Sequence, residues 1–76
     1  MATQTLGSRL RQLRQDRGLT LMTLAGAADT STSYLADIEH DRTVPTLGKL
    51  QAVATALGVT VRDLLQGVDR YDAPGP

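Results

Sequence analysis

Apolar residues recur along this chain at helical spacing, in five segments separated by short polar interruptions. In the first, about residues 6–17, Leu6, Leu10 and Leu13 stand at i, i+4 and i+7 and form one stripe, with the arginines mostly off it. Gly18 follows, where a left-handed residue closes a helix. Thr20 takes an N-cap position before a second segment, about 21–28, with Leu24, Ala25 and Ala28 on one face. The run Ala25-Gly26-Ala27 predicts close approach by another helix, although Gly26 lowers helix propensity. Asp29 and Thr30 interrupt the pattern, and Ser31 caps a third segment, about 32–40, that turns Leu35 and Ile38 inward. Residues 41–45 read as a loop, because Pro45 keeps Val44 out of helical geometry. Thr46 caps the fourth segment, about 47–57, whose stripe is Leu50, Val53, Ala54 and Leu57, with Gly58 at its end. Thr60 with Asp63 resembles a capping box for the fifth, about 61–66, which Gly67 closes. Residues 68–76 finish in Ala-Pro-Gly-Pro and are expected to form a flexible tail.

The fold class that follows is all-α: one compact five-helix domain at 1–67 and a tail at 68–76, with no strand. Its informative part is the pair of short helices at about 20–40, joined by about three residues. Helices this short do not hold together alone in water. Braced by flanking helices they form a stiff wedge, a helix-turn-helix, whose second arm fits a major groove roughly 12 Å wide.

Composition narrows the options further. The chain has no cysteine and one histidine, which excludes a disulfide framework and any cysteine-based metal site. Apolar residues make up 41% of it and Tyr34 and Tyr71 are its only aromatics, so the core must be built from aliphatic side chains. No apolar run approaches the roughly 20 residues of a membrane span, and the start lacks a signal-peptide pattern, so no membrane role and a cytoplasmic location are expected. A His-carboxylate-nucleophile set, a phosphate-cradling glycine loop and a metal-ligand spacing are all missing, so neither an enzyme nor a cofactor is expected.

The net charge is zero, which does not by itself suggest a nucleic-acid partner. The distribution is uneven. Residues 1–20 carry Arg9, Arg11, Arg14 and Arg17 against Asp16, whereas 29–43 carry Asp29, Asp37, Glu39 and Asp41 against Arg42. Arg9, Arg11 and Arg17 read as the wet face of the first helix, and Met22 as surface.

Six segments stand in a telling order and spacing: Leu-Gly-Ser-Arg-Leu-Arg-Gln-Leu-Arg (6–14), Arg-Gly-Leu-Thr (17–20), Leu-Ala (24–25), Ser-Tyr-Leu-Ala-Asp-Ile-Glu (33–39), Arg-Thr-Val-Pro-Thr-Leu (42–47) and Ala-Leu-Gly-Val-Thr-Val-Arg-Asp-Leu-Leu (56–65). Together they resemble the lambda-repressor/Cro-like helix-turn-helix family, also called the xenobiotic-response-element family, of bacterial and phage regulators. The stretch at 64–68 followed by Tyr71 is also similar to the DNA-binding half of Deinococcus damage-response repressors.

The resemblance implies a DNA-binding transcriptional regulator, in keeping with the wedge. It places Thr32, Ser33, Ala36 and Asp37 at groove-facing positions and Tyr34 against sugar–phosphate. It sets Thr20 with the free N–H groups of the second helix toward a phosphate, and Arg42 and Thr43 in a loop that follows the backbone. It also implies that Arg14 and Glu39 meet in a partly buried, structural ion pair. Three positions depart from the family pattern: Leu21 where Gln is frequent, and Asp29 and Asp41 where Gly is usual. The recognition helix also offers no Arg, Lys, Asn or Gln to pair with purine edges.

Val61, Leu64, Leu65 and Val68 repeat at i, i+3, i+4 and i+7 and suggest a homodimer through the fifth helix, on a near-palindromic operator in double-stranded DNA. The rival reading is a protein-interaction module that keeps the fold without binding DNA, supported by the acidic residues at 37–41.

Overall fold

Five hydroxyl side chains start five helices. Thr5, Thr20, Ser31, Thr46 and Thr60 each accept a hydrogen bond from the backbone N–H three residues on, at Ser8, Thr23, Tyr34, Lys49 and Asp63. The helices they open in the computed structural model, which describes residues 3–74, are α1 (Leu6–Asp16), α2 (Leu21–Ala27), α3 (Thr32–Glu39), α4 (Leu47–Leu57) and α5 (Val61–Leu65). Each matches a predicted segment to within one residue at its C-terminal end. At Thr60 the box is reciprocal, with the Asp63 carboxylate accepting from the Thr60 N–H.

The first four helices end alike. A residue in the left-handed region follows the last turn, Gly18, Asp29, Asp41 or Gly58, and the next N–H bonds back to a carbonyl five residues earlier. Aspartate at two of these positions is the departure noted above, and it adopts φ 56° at Asp29 and 59° at Asp41 without breaking the pattern.

Packing follows the leucine stripes. Leu10, Leu24, Leu35 and Leu64 are fully enclosed, and Ile38, Leu50, Val53 and Ala54 complete the centre. One glycine is needed for a close approach, and it is not the one in α2. A Cβ on Gly7 would sit 2.4 Å from the Ile38 carbonyl oxygen and 2.6 Å from that of Glu39, so the start of α1 lies directly on the end of α3. Gly26, predicted to admit a neighbouring helix, is exposed with nothing within 4 Å of a Cβ; Ala25 is the buried member of that run.

Three further expectations are corrected. Leu64 is fully enclosed in the domain's own core, so it is unavailable to a partner; Val61, Leu65 and Val68 are half-buried at the core's edge. Residues 68–72 do not trail away. Val68 forms a parallel bridge with Gln4, whose N–H donates to the Gly67 carbonyl at 2.9 Å and whose carbonyl accepts from Asp69 N at 2.9 Å. Tyr71 then donates its hydroxyl to the Pro45 carbonyl at 2.8 Å. The apolar bodies of Val68 and Tyr71 gain burial against the core, which anchors the strap; Gly75 and Pro76 of the expected tail lie outside the described residues. Arg9 and Arg17 are not simply a wet face: Arg9 donates to the Asp63 carbonyl at 2.9 Å and Arg17 to that of Leu57 at 2.8 Å, tying α1 to α5 and α4. Among the described residues no helix is long and apolar enough to cross a membrane.

Candidate nucleic-acid interface

Helix α3 is fixed from behind and free in front. Leu35 and Ile38 enter the core, and Glu39, 6% exposed, is held by Arg14. At about 100° per residue, these inward positions leave Thr32, Ser33, Ala36 and Asp37 on the opposite arc. Thr32 and Ser33 are exposed, and Ala36 and Asp37 are half-buried at its edge. Tyr34 is also half-buried, flanking the arc, and packs against the core. This arc presents two hydroxyls, a methyl and one carboxylate, a set able to accept from or donate to base edges.

The turn before α3 sets its direction. Asp29 in the left-handed region and the bond from Thr30 N to the Ala25 carbonyl at 2.9 Å close α2, and Ser31 opens α3 two residues after Asp29. Thr20 is exposed at the start of α2, where its hydroxyl is already occupied by Thr23 N as a cap.

Two of the four acids in the 29–43 stretch, Glu39 and Asp41, are engaged by other parts of the fold. Glu39 accepts from Arg14 Nε at 2.7 Å and from Nη2 at 3.1 Å, and Nη1 of Arg14 caps the Leu19 carbonyl at 2.8 Å. The hydrogen bond to Glu39 raises the Arg14 pKa, outweighing desolvation, which lowers it. Asp41 accepts from Gly7 N at 3.0 Å and from the Thr5 hydroxyl at 2.8 Å. A carboxylate at the N-terminus of α1 is where the helix dipole favours negative charge. Asp41 therefore does more than tolerate the turn: it clamps α1 to the end of α3. Sequence reasoning missed that role, although Thr5 just before the first leucine stripe and an acid in place of the usual glycine were both visible.

Asp37 keeps an outward carboxylate, with Arg42 Nη1 3.6 Å away; the side chains are 47% and 68% exposed. The structure thus brings together two predicted site residues from different elements. Thr43 is half-buried and Arg42 exposed, both in the loop that runs from Asp41 to Pro45. A bond from Arg42 N to the Asp37 carbonyl at 2.8 Å starts that loop, and Tyr71 holds its far end at Pro45. Sequence reasoning did not find Tyr71 as part of this region.

A short two-helix wedge, braced by α1 and α4 and presenting the outer arc of its second arm, defines a helix-turn-helix protein. The helix-turn-helix domain family matches residues 5–66. The chain belongs to that family, in its lambda-repressor/Cro-like form. It is 54% identical over 66 residues to the HTH-type transcriptional regulator DdrOP3 of Deinococcus deserti, a match covering 87% of this chain and 51% of that protein. The chain thus spans about half the length of that relative. The DNA-binding domain of the phage P22 c2 repressor superimposes with a TM-score of 0.82 at 28% identity, covering 88% of each chain. SinR, the master regulator for biofilm formation, solved in complex with DNA, superimposes with a TM-score of 0.75 at 37% identity, covering 80% of this chain and 98% of that one.

Proposed function

We propose that this chain is the DNA-binding unit of a transcriptional repressor, working in the cytoplasm with α3 in the major groove of an operator. The observation that carries the reading is the outward arc of Thr32, Ser33, Ala36 and Asp37 on a helix whose opposite side is locked into the core. In the proposed complex these residues read base edges: the hydroxyls serve as short donors or acceptors, Ala36 meets a thymine methyl, and Asp37 accepts from a cytosine amino group. Tyr34 lies against sugar–phosphate, Thr20 with the free N–H groups of α2 approaches a phosphate, and Arg42 and Thr43 follow the backbone.

The zero net charge fits this reading once the acids are located. Glu39 is paired with Arg14, Asp41 is held at the start of α1 and Asp37 has Arg42 beside it, which weakens the acidic support for an interaction module that has given up DNA. With few phosphate-facing cations per chain, useful affinity calls for two chains on one site. Val61, Leu65 and Val68 offer a half-buried apolar edge for a two-fold contact. Two copies of α3 would then meet half-sites about 34 Å apart, one turn of DNA, on a near-palindromic operator.

Selection of bound duplexes from a random pool tests this directly, and an enriched, symmetric pair of half-sites is the expected result. Thr32→Ala with Ser33→Ala should erase the enrichment while leaving helicity and melting nearly unchanged. A retained preference would move base reading elsewhere, and absence of binding to any duplex at low salt would end the reading.

A further inference from the structure

We propose that Tyr71 is a positioning residue for the loop at 41–45, and that the strap at 67–72 is the support from which it acts. The proposal rests on the reading above that Arg42 and Thr43 contact the DNA backbone.

The loop is tethered at two points and unsupported between them. At its start Arg42 N donates to the Asp37 carbonyl at 2.8 Å; at its end the Tyr71 hydroxyl donates to the Pro45 carbonyl at 2.8 Å. Between these, Thr43 and Val44 donate to no backbone carbonyl among the described residues. Packing does not close the gap, because a cleft of about 280 Å3 separates strap from loop, bordered by Leu6, Ile38, Thr43, Val44 and Tyr71. Tyr71 borders that cleft, and its hydroxyl bonds the Pro45 carbonyl at the loop's end.

A brace works only if its own base is fixed, and this one is. The strap is pinned on both sides of Val68 by the two hydrogen bonds with Gln4, whose chain continues into Thr5 and the start of α1. The start of α1 is in turn clamped to the end of α3 by Asp41 and the close approach at Gly7. Tyr71 therefore refers the backbone-following loop to the same frame that orients α3, so phosphate contacts and base contacts keep one register.

The test uses the whole 76-residue chain as Tyr71→Phe, Arg42→Ala and the double variant. In the DNA-free protein, backbone order parameters at Thr43 and Val44 should fall in Tyr71→Phe, while those in the middle of α3 and α4 stay unchanged. With a selected duplex, Tyr71→Phe should weaken binding about three- to tenfold, the net worth of roughly one hydrogen bond. The slope of log affinity against log salt, between about 50 and 200 mM, should become shallower by up to about one per chain. Base preference should hold, and the double variant should lose less than the two single losses combined. Unchanged loop order parameters overturn the proposal. So does an unchanged salt slope, or a Tyr71→Phe loss that adds in full to that of Arg42→Ala, and in both cases the DNA-binding reading stands. Failure of the wild-type chain to bind any duplex overturns both.

Discussion

Arg14 and Glu39 form a two-point ion pair, Nε to Oε2 at 2.7 Å and Nη2 to Oε1 at 3.1 Å, with side chains only 12% and 3% exposed. It joins the last turn of α1 to the last residue of α3 and so fixes the rear of the helix that faces outward. Removing one partner leaves the other enclosed without its counter-charge, which costs about 3 kcal/mol or more, well above an exposed pair. A domain of this size holds only about 4–11 kcal/mol in total, so Glu39→Ala should remove a large share of its stability. Urea titration should also show Arg14→Ala with Glu39→Ala losing less than the two single changes summed, by about 1–3 kcal/mol. Additive losses would mean that the side chains do not act as a pair.

Two glycines in helices should respond in opposite directions to the same substitution. Gly7→Ala places a methyl against two backbone carbonyl oxygens, which cannot rotate away, so α1 and α3 must separate. That overpacking costs about 1–3 kcal/mol, against which the helix-propensity gain of roughly 1 kcal/mol is insufficient. Gly26→Ala meets nothing and should stabilise by about 0.5–1 kcal/mol. Paired thermal melts decide it; a stabilising Gly7→Ala would show that the helices do not touch there.

The contrast between those glycines marks where sequence reading ends. The helices are legible because each start carries a hydroxyl or a box and most ends carry a residue suited to left-handed geometry, all within a few positions of one another. The outward arc of α3 is legible because Leu35 and Ile38 fix its inner side. Contacts made by polar side chains across the fold are a different matter. Asp41 on Gly7, Arg9 on Asp63, Arg17 on Leu57 and Tyr71 on Pro45 join residues 26 to 54 positions apart. No local periodicity records such a pairing, so arginines read as solvated and Tyr71 reads as tail. Leu64 failed for a related reason: its spacing with Val61, Leu65 and Val68 marks an apolar face, but only the packing of α5 on α1 and α4 says which member is enclosed.

Asp37 is the one acid on the arc whose carboxylate points outward, and its chemistry makes a specific demand on DNA. A carboxylate only accepts, so it suits the cytosine amino group, whereas an asparagine can both accept and donate and suits adenine. Asp37→Asn should therefore move the preferred base at one position of each half-site from cytosine toward adenine. Affinity should also rise at low salt, because a negative charge near phosphates is gone and Arg42, 3.6 Å away, is released to the backbone. Sequencing of pools selected by the two proteins is the measurement. An identical preference at every position would remove Asp37 from base reading.

Tyr71 should leave a mark on the pH dependence of stability. Burial disfavours its phenolate, with a smaller contribution from the charge of Tyr34, so its pKa in the folded protein lies above the ordinary value of 10.0. The folded state then keeps the proton where the unfolded chain has lost it. The resulting stability is fully present below pH about 10 and is lost as pH rises through the folded value. In a Tyr34→Phe background, which removes the smaller cause and leaves one tyrosine to observe, phenolate absorbance should still show a midpoint above that of the urea-unfolded chain. Tyr71→Phe should flatten the alkaline fall in stability, since a phenyl ring has no proton to lose. A folded midpoint equal to the unfolded one would mean that the ring is open to water and that the strap does not hold it against the core.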